Sequence, residues 1–379
     1  MNKLKVMTIL GTRPEIIRLS CVIRKLDEVF DHLLVHTGQN YDYELSEVFF
    51  HEMDVRKPDV FMNTDTSSLG AVYGTILIEA ERLFKKENPD ALLVLGDTNS
   101  SISAIMAKRM KIPVFHMEAG NRCYDENVPE ETNRRIVDHI SDFNLVYSER
   151  SRQHLLAEGI QSRRIYLTGS PLLEVINHNR EKIMSSNALE RMNLSKDRYI
   201  LVSAHREENV DNKEQLEKLI DAVSYCAKML DLPMIFSAHP RTKKRLQEYG
   251  LGKIDDRMAF MKPFGYYDYM QLQINAYCVI SDSGTISEEA SMLKFPAVTI
   301  RNAMERPEAM DSGTIIITGM DKDVLVDAVR LAKSEYKKES IPPAPVEYQI
   351  SNTSQRVARL ILGLCKLSHR WSNLDGYKS

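Results

Sequence analysis

The feature that most constrains this chain is a rhythm: from Lys5 almost to Ile300, short apolar runs alternate with segments of helix length. Runs such as Lys5-Val6-Met7-Thr8-Ile9-Leu10 and Ala91-Leu92-Leu93-Val94-Leu95 show no inside–outside alternation. That pattern marks strands buried on both faces, as in a parallel sheet covered by helices. In the first half, strands are expected at residues 5–10, 32–36, 91–95, 113–116, 143–147 and 164–167, with helices at 14–30, 67–87, 99–110 and 130–139. The second half repeats the pattern, with strands at 199–203, 234–237, 258–260, 278–281 and 297–300 and helices at 213–230, 241–250, 266–275 and 286–293. With 379 residues the chain exceeds what one core needs. The expected class is α/β: two Rossmann-like doubly wound domains facing a cleft. The turn Gly169-Ser170-Pro171 sets the expected junction, giving residues 1–170 and 171–353, with 354–379 packing back on the first domain after the proline-rich segment 341–345. Such domains place ligands at the carboxyl ends of their strands.

Composition narrows the function. The formal net charge of −3 gives no electrostatic reason to expect nucleic acid or an anionic membrane as a partner. No apolar run of about 18 residues exists, so no spanning helix is expected. The amino-terminal segment reads as a first strand rather than a secretory signal. The five cysteines form no CxxC pair, which fits reduced thiols in a cytoplasmic protein and no zinc site.

Five segments carry chemistry. Gly11-Thr12-Arg13-Pro14-Glu15 turns from a strand into a helix, and its glycine, helix start and arginine suit an anion; a plain tight turn fits as well. Ser281-Asp282-Ser283-Gly284-Thr285 makes the same passage, with Ser283, Gly284 and Thr285 offering N–H groups and hydroxyls to a diphosphate and Glu289 in reach of a ribose. A capping box at Ser283 is the plainer alternative. Asp97 ends a strongly apolar strand, where a helix N-cap is the other reading. Glu118 ends the next, and Glu130 or Glu131 opens a helix, where a carboxylate also favours the dipole. Arg134 and Arg135 suit an ion-paired face. His205 follows the first strand of the second domain and suits a phosphate; His239 has a similar but weaker position. Cations and N–H donors thus gather in three segments and carboxylates in two others, as needed for a nucleotide diphosphate leaving group and acid/base work on an attached sugar. There is no dinucleotide fingerprint, and no cofactor is expected.

In order and spacing, Gly11-Thr12-Arg13-Pro14-Glu15, Gly96-Asp97-Thr98, Glu118-Ala119-Gly120, Pro129-Glu130-Glu131, His205-Arg206, Asp282-Ser283-Gly284, Glu288-Glu289 and Glu305-Arg306-Pro307-Glu308-Ala309 resemble the non-hydrolysing UDP-N-acetylglucosamine 2-epimerase family, over about residues 4–365. The resemblance implies a GT-B-like fold, a UDP-sugar substrate, a homodimer, and anti-elimination of UDP followed by its re-addition. The C2–H of a 2-acetamido sugar is not beside a carbonyl, so C1–O cleavage must precede or accompany its loss, and inversion needs a carboxylate on each face. By motif position Asp97, Glu118, Glu130 and His205 are the expected catalytic residues. Arg13, Arg18, Arg122, Tyr269, Ser283, Gly284, Thr285, Glu289 and Arg306 are the expected UDP-sugar-binding residues, Arg18 standing where a lysine is common and Tyr269 where an aromatic lies near uracil.

The chain departs from the family at Asn40-Tyr41-Asp42-Tyr43, at Thr75 and at Glu207, positions that serve a second, activating UDP-N-acetylglucosamine in bacterial members. These departures, with Ser203-Ala204-His205-Arg206-Glu207-Glu208-Asn209-Val210, are similar to the UDP-N-acetyl-L-fucosamine synthase branch, which inverts C2 of UDP-2-acetamido-2,6-dideoxy-L-talose for capsule or O-antigen precursors. The alternatives are a UDP-N-acetylglucosamine 2-epimerase proper, a hydrolysing epimerase, a retaining glycosyltransferase and a nucleotide-sugar binding module.

Overall fold

The structure, a computed structural model, describes residues 3–372 apart from 40–48, 126, 205, 239, 251–254 and 338–339. It divides into two compact units, Met1–His178 with Gln349–Ser379, and Asn179–Tyr348. The first is built on strands β1 (Lys5–Leu10), β2 (Asp31–His36), β3 (Val60–Phe61), β4 (Ala91–Leu95), β5 (Val114–Ala119), β6 (Phe143–Val146) and β7 (Ile165–Leu167). They lie in the order β3-β2-β1-β4-β5-β6-β7, parallel throughout. The second holds β8 (Ile200–Ser203), β9 (Met234–Ser237), β10 (Met258–Met261), β11 (Cys278–Ser281), β12 (Ala297–Thr299) and β13 (Ile316–Ile317). Their order is β10-β9-β8-β11-β12-β13, again all parallel.

Both sheets are doubly wound, as the rhythm required. Chain order reverses between β1 and β4 in one unit and between β8 and β11 in the other. Loops leaving such a pair diverge to opposite faces and open a crevice at the strands' carboxyl ends. The apolar faces of β1, β4 and β5 pack against helix Leu69–Glu87 and the turn of helix after β4, whereas β8, β9 and β11 pack against helices Lys213–Leu230 and Lys322–Lys337. All five cysteines are buried. Among the described residues no helix is long and apolar enough to cross a membrane.

The structure differs from expectation in several places. Helix Lys322–Lys337 was not anticipated, although Leu325, Val326, Val329 and Ala332 are buried at helical spacing and the Asp321 carboxylate accepts the first-turn N–H groups of Asp323 and Val324. Helix Glu149–Ala157 and the edge strands β3 and β13 were also missed; two-residue strands carry no periodicity. The junction moves too. Helix Leu172–His178 packs on helix Arg13–Val29, and Glu174 accepts the Ser354 N–H at 2.8 Å and its hydroxyl. The first unit therefore runs to His178 and resumes at Gln349, instead of breaking at 170 and resuming at 354. Helix Thr353–Trp371 lies along helix Arg13–Val29. Gly169, with φ +76, is pressed against Ile350, whose Cβ would lie 2.7 Å from an added side chain.

Candidate active site

In the first unit, the β1 turn and the β4 loop are joined by one buried carboxylate. Glu15 accepts the Gly11 N–H at 3.0 Å, the Thr12 hydroxyl at 2.8 Å and the Ser100 hydroxyl. Burial pushes its carboxyl above the ordinary range, and those three hydrogen bonds only partly oppose this. Gly11 leaves no room for a side chain: a Cβ there would meet Thr37 Oγ1 at 2.1 Å. Arg13 opens the helix, half-buried, with its guanidinium 4.1 Å from the centre of the Phe49 ring.

The β4 loop carries Asp97 and the end of β5 carries Glu118. Asp97 is half-buried, and its Oδ2 accepts from Arg134 Nε at 3.0 Å and Nη2 at 2.6 Å. Glu118 sits where the register between β5 and β6 slips, with a left-handed φ of 64°. A bulge of this kind re-aims a side chain that would otherwise follow the pleat, and a non-glycine residue there carries strain of order 1 kcal/mol. Its Oε2 accepts from Arg18 Nη1 at 2.9 Å and its Oε1 lies 3.4 Å from Asn121 Nδ2. The two loops touch: an added Cβ at Gly96 would lie 3.9 Å from the Glu118 carboxylate.

Glu130 opens helix Glu130–Ile140 and is exposed, whereas its neighbour Glu131 is buried. Burial works against the Glu131 carboxylate, yet hydrogen bonds from Cys123 and the nearby Arg134 and Arg135 hold its pKa below the ordinary value. Arg134 thus bridges Glu131, at 2.9 Å from Nη1, and Asp97.

Two arginines expected to bind substrate are placed differently. The Arg122 side chain is fully buried: Nε and Nη2 grip Glu158 at 2.8 and 2.6 Å, and Nη1 donates to Asp138 at 2.7 Å and to the Asn121 carbonyl at 2.6 Å. Burial penalises its charge, but those carboxylates raise its pKa above even the usual guanidinium value. It is an interior ion pair, and its donors are taken up within the protein. Arg18 is 4% exposed and faces Glu118, so its contact is with a carboxylate of the site.

In the second unit, Asp282 plays the part that Glu15 plays in the first. Fully buried at the end of β11, it accepts the Arg206 N–H at 3.0 Å and Asn209 Nδ2 at 2.9 Å, fixing the loop after β8. The N-cap position of helix Ile286–Leu293 is Thr285, whose side chain makes no capping hydrogen bond, and not Ser283 as a capping box would require. The Ser283 hydroxyl instead accepts the Thr285 N–H at 3.3 Å, while Ser281 Oγ takes the Ser283 N–H at 3.0 Å. These N–H groups, expected to face a phosphate, are met by hydroxyls in this structure. Cations do converge here: a Cβ at Gly284 would lie 3.6 Å from Arg301 Nη1 and 3.8 Å from Arg206 Nη2, and both guanidiniums donate to Glu305 Oε1. Arg301 was missed by sequence reading; its signal is its position two residues past β12. Arg306, a third arginine expected to bind substrate, is buried and donates to Glu288 at 2.8 Å and to the Gly284 carbonyl at 2.9 Å, holding the turn.

Glu289 is buried and accepts from Gln273 Nε2 at 2.7 Å. Tyr269 is half-buried one helical turn before the buried Gln273, so the two lie on one face of helix Tyr266–Asn275. His205, His239 and the Asn40-Tyr41-Asp42-Tyr43 departure lie outside the described residues.

Residues 24–362 match the family model described as UDP-N-acetylglucosamine 2-epimerase. The chain is similar to a solved UDP-N-acetylglucosamine 2-epimerase from Rickettsia bellii, with 43% identity and a TM-score of 0.91 covering 97% of this chain and 99% of the other. The solved Methanocaldococcus jannaschii UDP-GlcNAc 2-epimerase, in complex with UDP-GlcNAc and UDP, is 36% identical with a TM-score of 0.88, covering 95% of this chain and 100% of the other. A Pseudomonas aeruginosa UDP-2,3-diacetamido-2,3-dideoxy-D-glucuronate 2-epimerase is 30% identical over 86% of this chain and 92% of its own.

Proposed function

This chain belongs to the UDP-N-acetylglucosamine 2-epimerase family, and we propose that it inverts C2 of a UDP-2-acetamido sugar with Asp97, Glu118 and Glu130 as its proton-transfer groups. It is an isomerase of the non-hydrolysing type. In this reading UDP departs from C1 as the C2 proton is lost, giving a 2-acetamidoglycal. A proton then returns to the opposite face and UDP adds back. One fixed carboxylate serves one face only, so two must act.

The observation that supports this most is the pairing of Asp97 and Glu118 on adjacent strand ends, each oriented by its own arginine, Arg134 and Arg18. Two rigidly held carboxylates on neighbouring loops suit transfer at two faces of one carbon. The departing diphosphate calls for cations. In this reading Arg206 and Arg301 of the second unit supply them, joined by His205, Ser283, Gly284 and Thr285. Glu289 and Tyr269 would receive the ribose and the uracil.

For the sugar, we favour UDP-2-acetamido-2,6-dideoxy-L-talose, giving UDP-N-acetyl-L-fucosamine. The support is the likeness of the segment 203–210 and the departures at Asn40 and Thr75. The second reading is UDP-N-acetylglucosamine, favoured by the names of relatives at 36–43% identity. A cytoplasmic homodimer supplying capsule or O-antigen precursors accompanies the first reading. Proton NMR of the enzyme in D₂O with each UDP-sugar decides: deuterium at C2 and an epimer from the L-talo sugar are expected. Turnover of UDP-N-acetylglucosamine alone would overturn the choice of sugar, and loss of UDP without any epimer would overturn the reaction.

A further inference from the structure

We infer that His116 and Asp138 are positioning residues that set the distance between Asp97 and Glu118 through the backbone beside each; the inference rests on the reading of those two carboxylates as the proton-transfer groups. His116, on β5, is fully buried, and its Nε2 lies 2.8 Å from the carbonyl of Gly96. A carbonyl only accepts, so Nε2 carries the hydrogen. Gly96 has φ +67 and immediately precedes Asp97. The other ring nitrogen stands 3.0 Å from Asp138 Oδ1, an ion-pair distance without the alignment of a hydrogen bond.

Asp138, from helix Glu130–Ile140, reaches the other side of the site. Both its oxygens lie 3.2 Å from the Gly120 N–H, and Oδ2 accepts from Arg122. Gly120 has φ +81 and follows Glu118 by two residues. The peptide before Asp97 and the Ala119–Gly120 peptide, one removed from Glu118, are therefore fixed by two buried side chains that face each other. Gly96, Glu118 and Gly120 all hold left-handed backbone, a conformation that needs such fixing to persist.

Packing alone does not call for this arrangement. Buried ionic groups can be replaced by apolar residues of similar volume at little cost in stability, and His116 lies between the buried apolar residues Phe115 and Met117. What an apolar residue cannot do is hold the Gly96 carbonyl. A shift of about 1 Å in a catalytic group is enough to lower turnover by roughly 100-fold.

The test compares His116→Phe with His116→Gln. Phenylalanine keeps the ring and removes both nitrogens, whereas glutamine restores a donor near the Nε2 position. Deuterium incorporation at sugar C2 is measured with the UDP-sugar that the parent enzyme turns over, alongside UDP affinity and melting temperature. His116→Phe is expected to lose roughly 10–100-fold in kcat, with UDP affinity within about twofold of the parent. His116→Gln is expected to recover a clear part of that loss. Undiminished kcat in His116→Phe, or no recovery in His116→Gln, overturns the inference. Should His116→Phe fail to fold, Asp138→Asn decides on the same two readouts: lowered kcat with intact UDP binding supports the inference, and unchanged kcat overturns it. Asp97→Asn and Glu118→Gln are measured in parallel. If both retain full exchange, the underlying reading fails as well; if both are inactive while His116→Phe is not, only the positioning role fails.

Discussion

Arg18 Nη1 lies 2.9 Å from Glu118 Oε2, joining the helix after β1 to a bulged residue at the end of β5. The arginine is held by packing as well as charge, its guanidinium 5.7 Å from the centre of the Tyr147 ring. Glu118 thus has one direction fixed by strained backbone and another by a buried cation. Arg18→Met should lower turnover roughly 10–100-fold while UDP affinity stays within about twofold. Arg18→Lys should fall between, because a lysine supplies the charge without the planar fork. Steady-state kinetics with a UDP titration checks this, and a large loss of UDP affinity would return Arg18 to the substrate-binding role.

Arg122 distinguishes an interior ion pair from a ligand contact. Arg122→Met leaves the buried Asp138 and the surface carboxylate Glu158 without their guanidinium, and breaking the buried Arg122–Asp138 pair on one side costs about 3–5 kcal/mol. A fall of several degrees in the first unit's melting transition is expected, with UDP affinity preserved. Differential scanning calorimetry and a UDP titration separate the two: an unshifted transition with lost UDP binding would contradict the buried placement.

Glu15 predicts a pH dependence of stability. Its native carboxyl is raised by burial above the ordinary value of 4.5. A group raised in the native state binds its proton more tightly when folded, so its contribution is full below about 4.5 and is lost as pH rises through the native value. Glu15→Gln stays neutral and can keep the Gly11 and Thr12 bonds, since the Ser100 hydroxyl can turn to accept from the amide. Its melting temperature relative to the parent should therefore climb as pH rises above 4.5. A difference that is flat with pH would refute this.

His36 predicts the opposite slope at the acid end. It is 2% exposed, its Nδ1 accepts the Gly38 N–H at 3.0 Å, and burial pushes its pKa down to about 4 from 6.5. The native state holds it neutral, so its contribution is full above 6.5 and is lost as pH falls towards about 4. The loss approaches roughly 3 kcal/mol at the acid limit. His36→Asn preserves an acceptor for Gly38 and removes the titration. Thermal melts between those pH values should show the parent losing more stability than the variant, and parallel curves would contradict the assignment.

Several elements were legible because they depend on neighbours in the chain. The strands Lys5–Leu10, Ala91–Leu95, Met234–Ser237 and Cys278–Ser281 match their expected ranges residue for residue. Burial on both faces demands unbroken apolar runs there. The helix Lys322–Lys337 was equally legible in its spacing and was overlooked. Glu118 was expected at the end of a strand and lies there, but the bulge that re-aims it was not legible, because a bulge is set by the partner strand and leaves no local mark.

What the sequence determined by itself was the rhythm of strands and helices, and with it the loops that carry Arg13, Asp97, Glu118 and Ser283. Only the tertiary structure decided which charge meets which. Arg122 is claimed by Asp138 and Glu158, 16 and 36 residues further along, and Arg18 by Glu118, 100 residues away. A long side chain's partner depends on strand order and on which crevice its loop enters. Those are properties of the assembled sheet, and Coulomb attraction acts through space with no regard for separation along the chain.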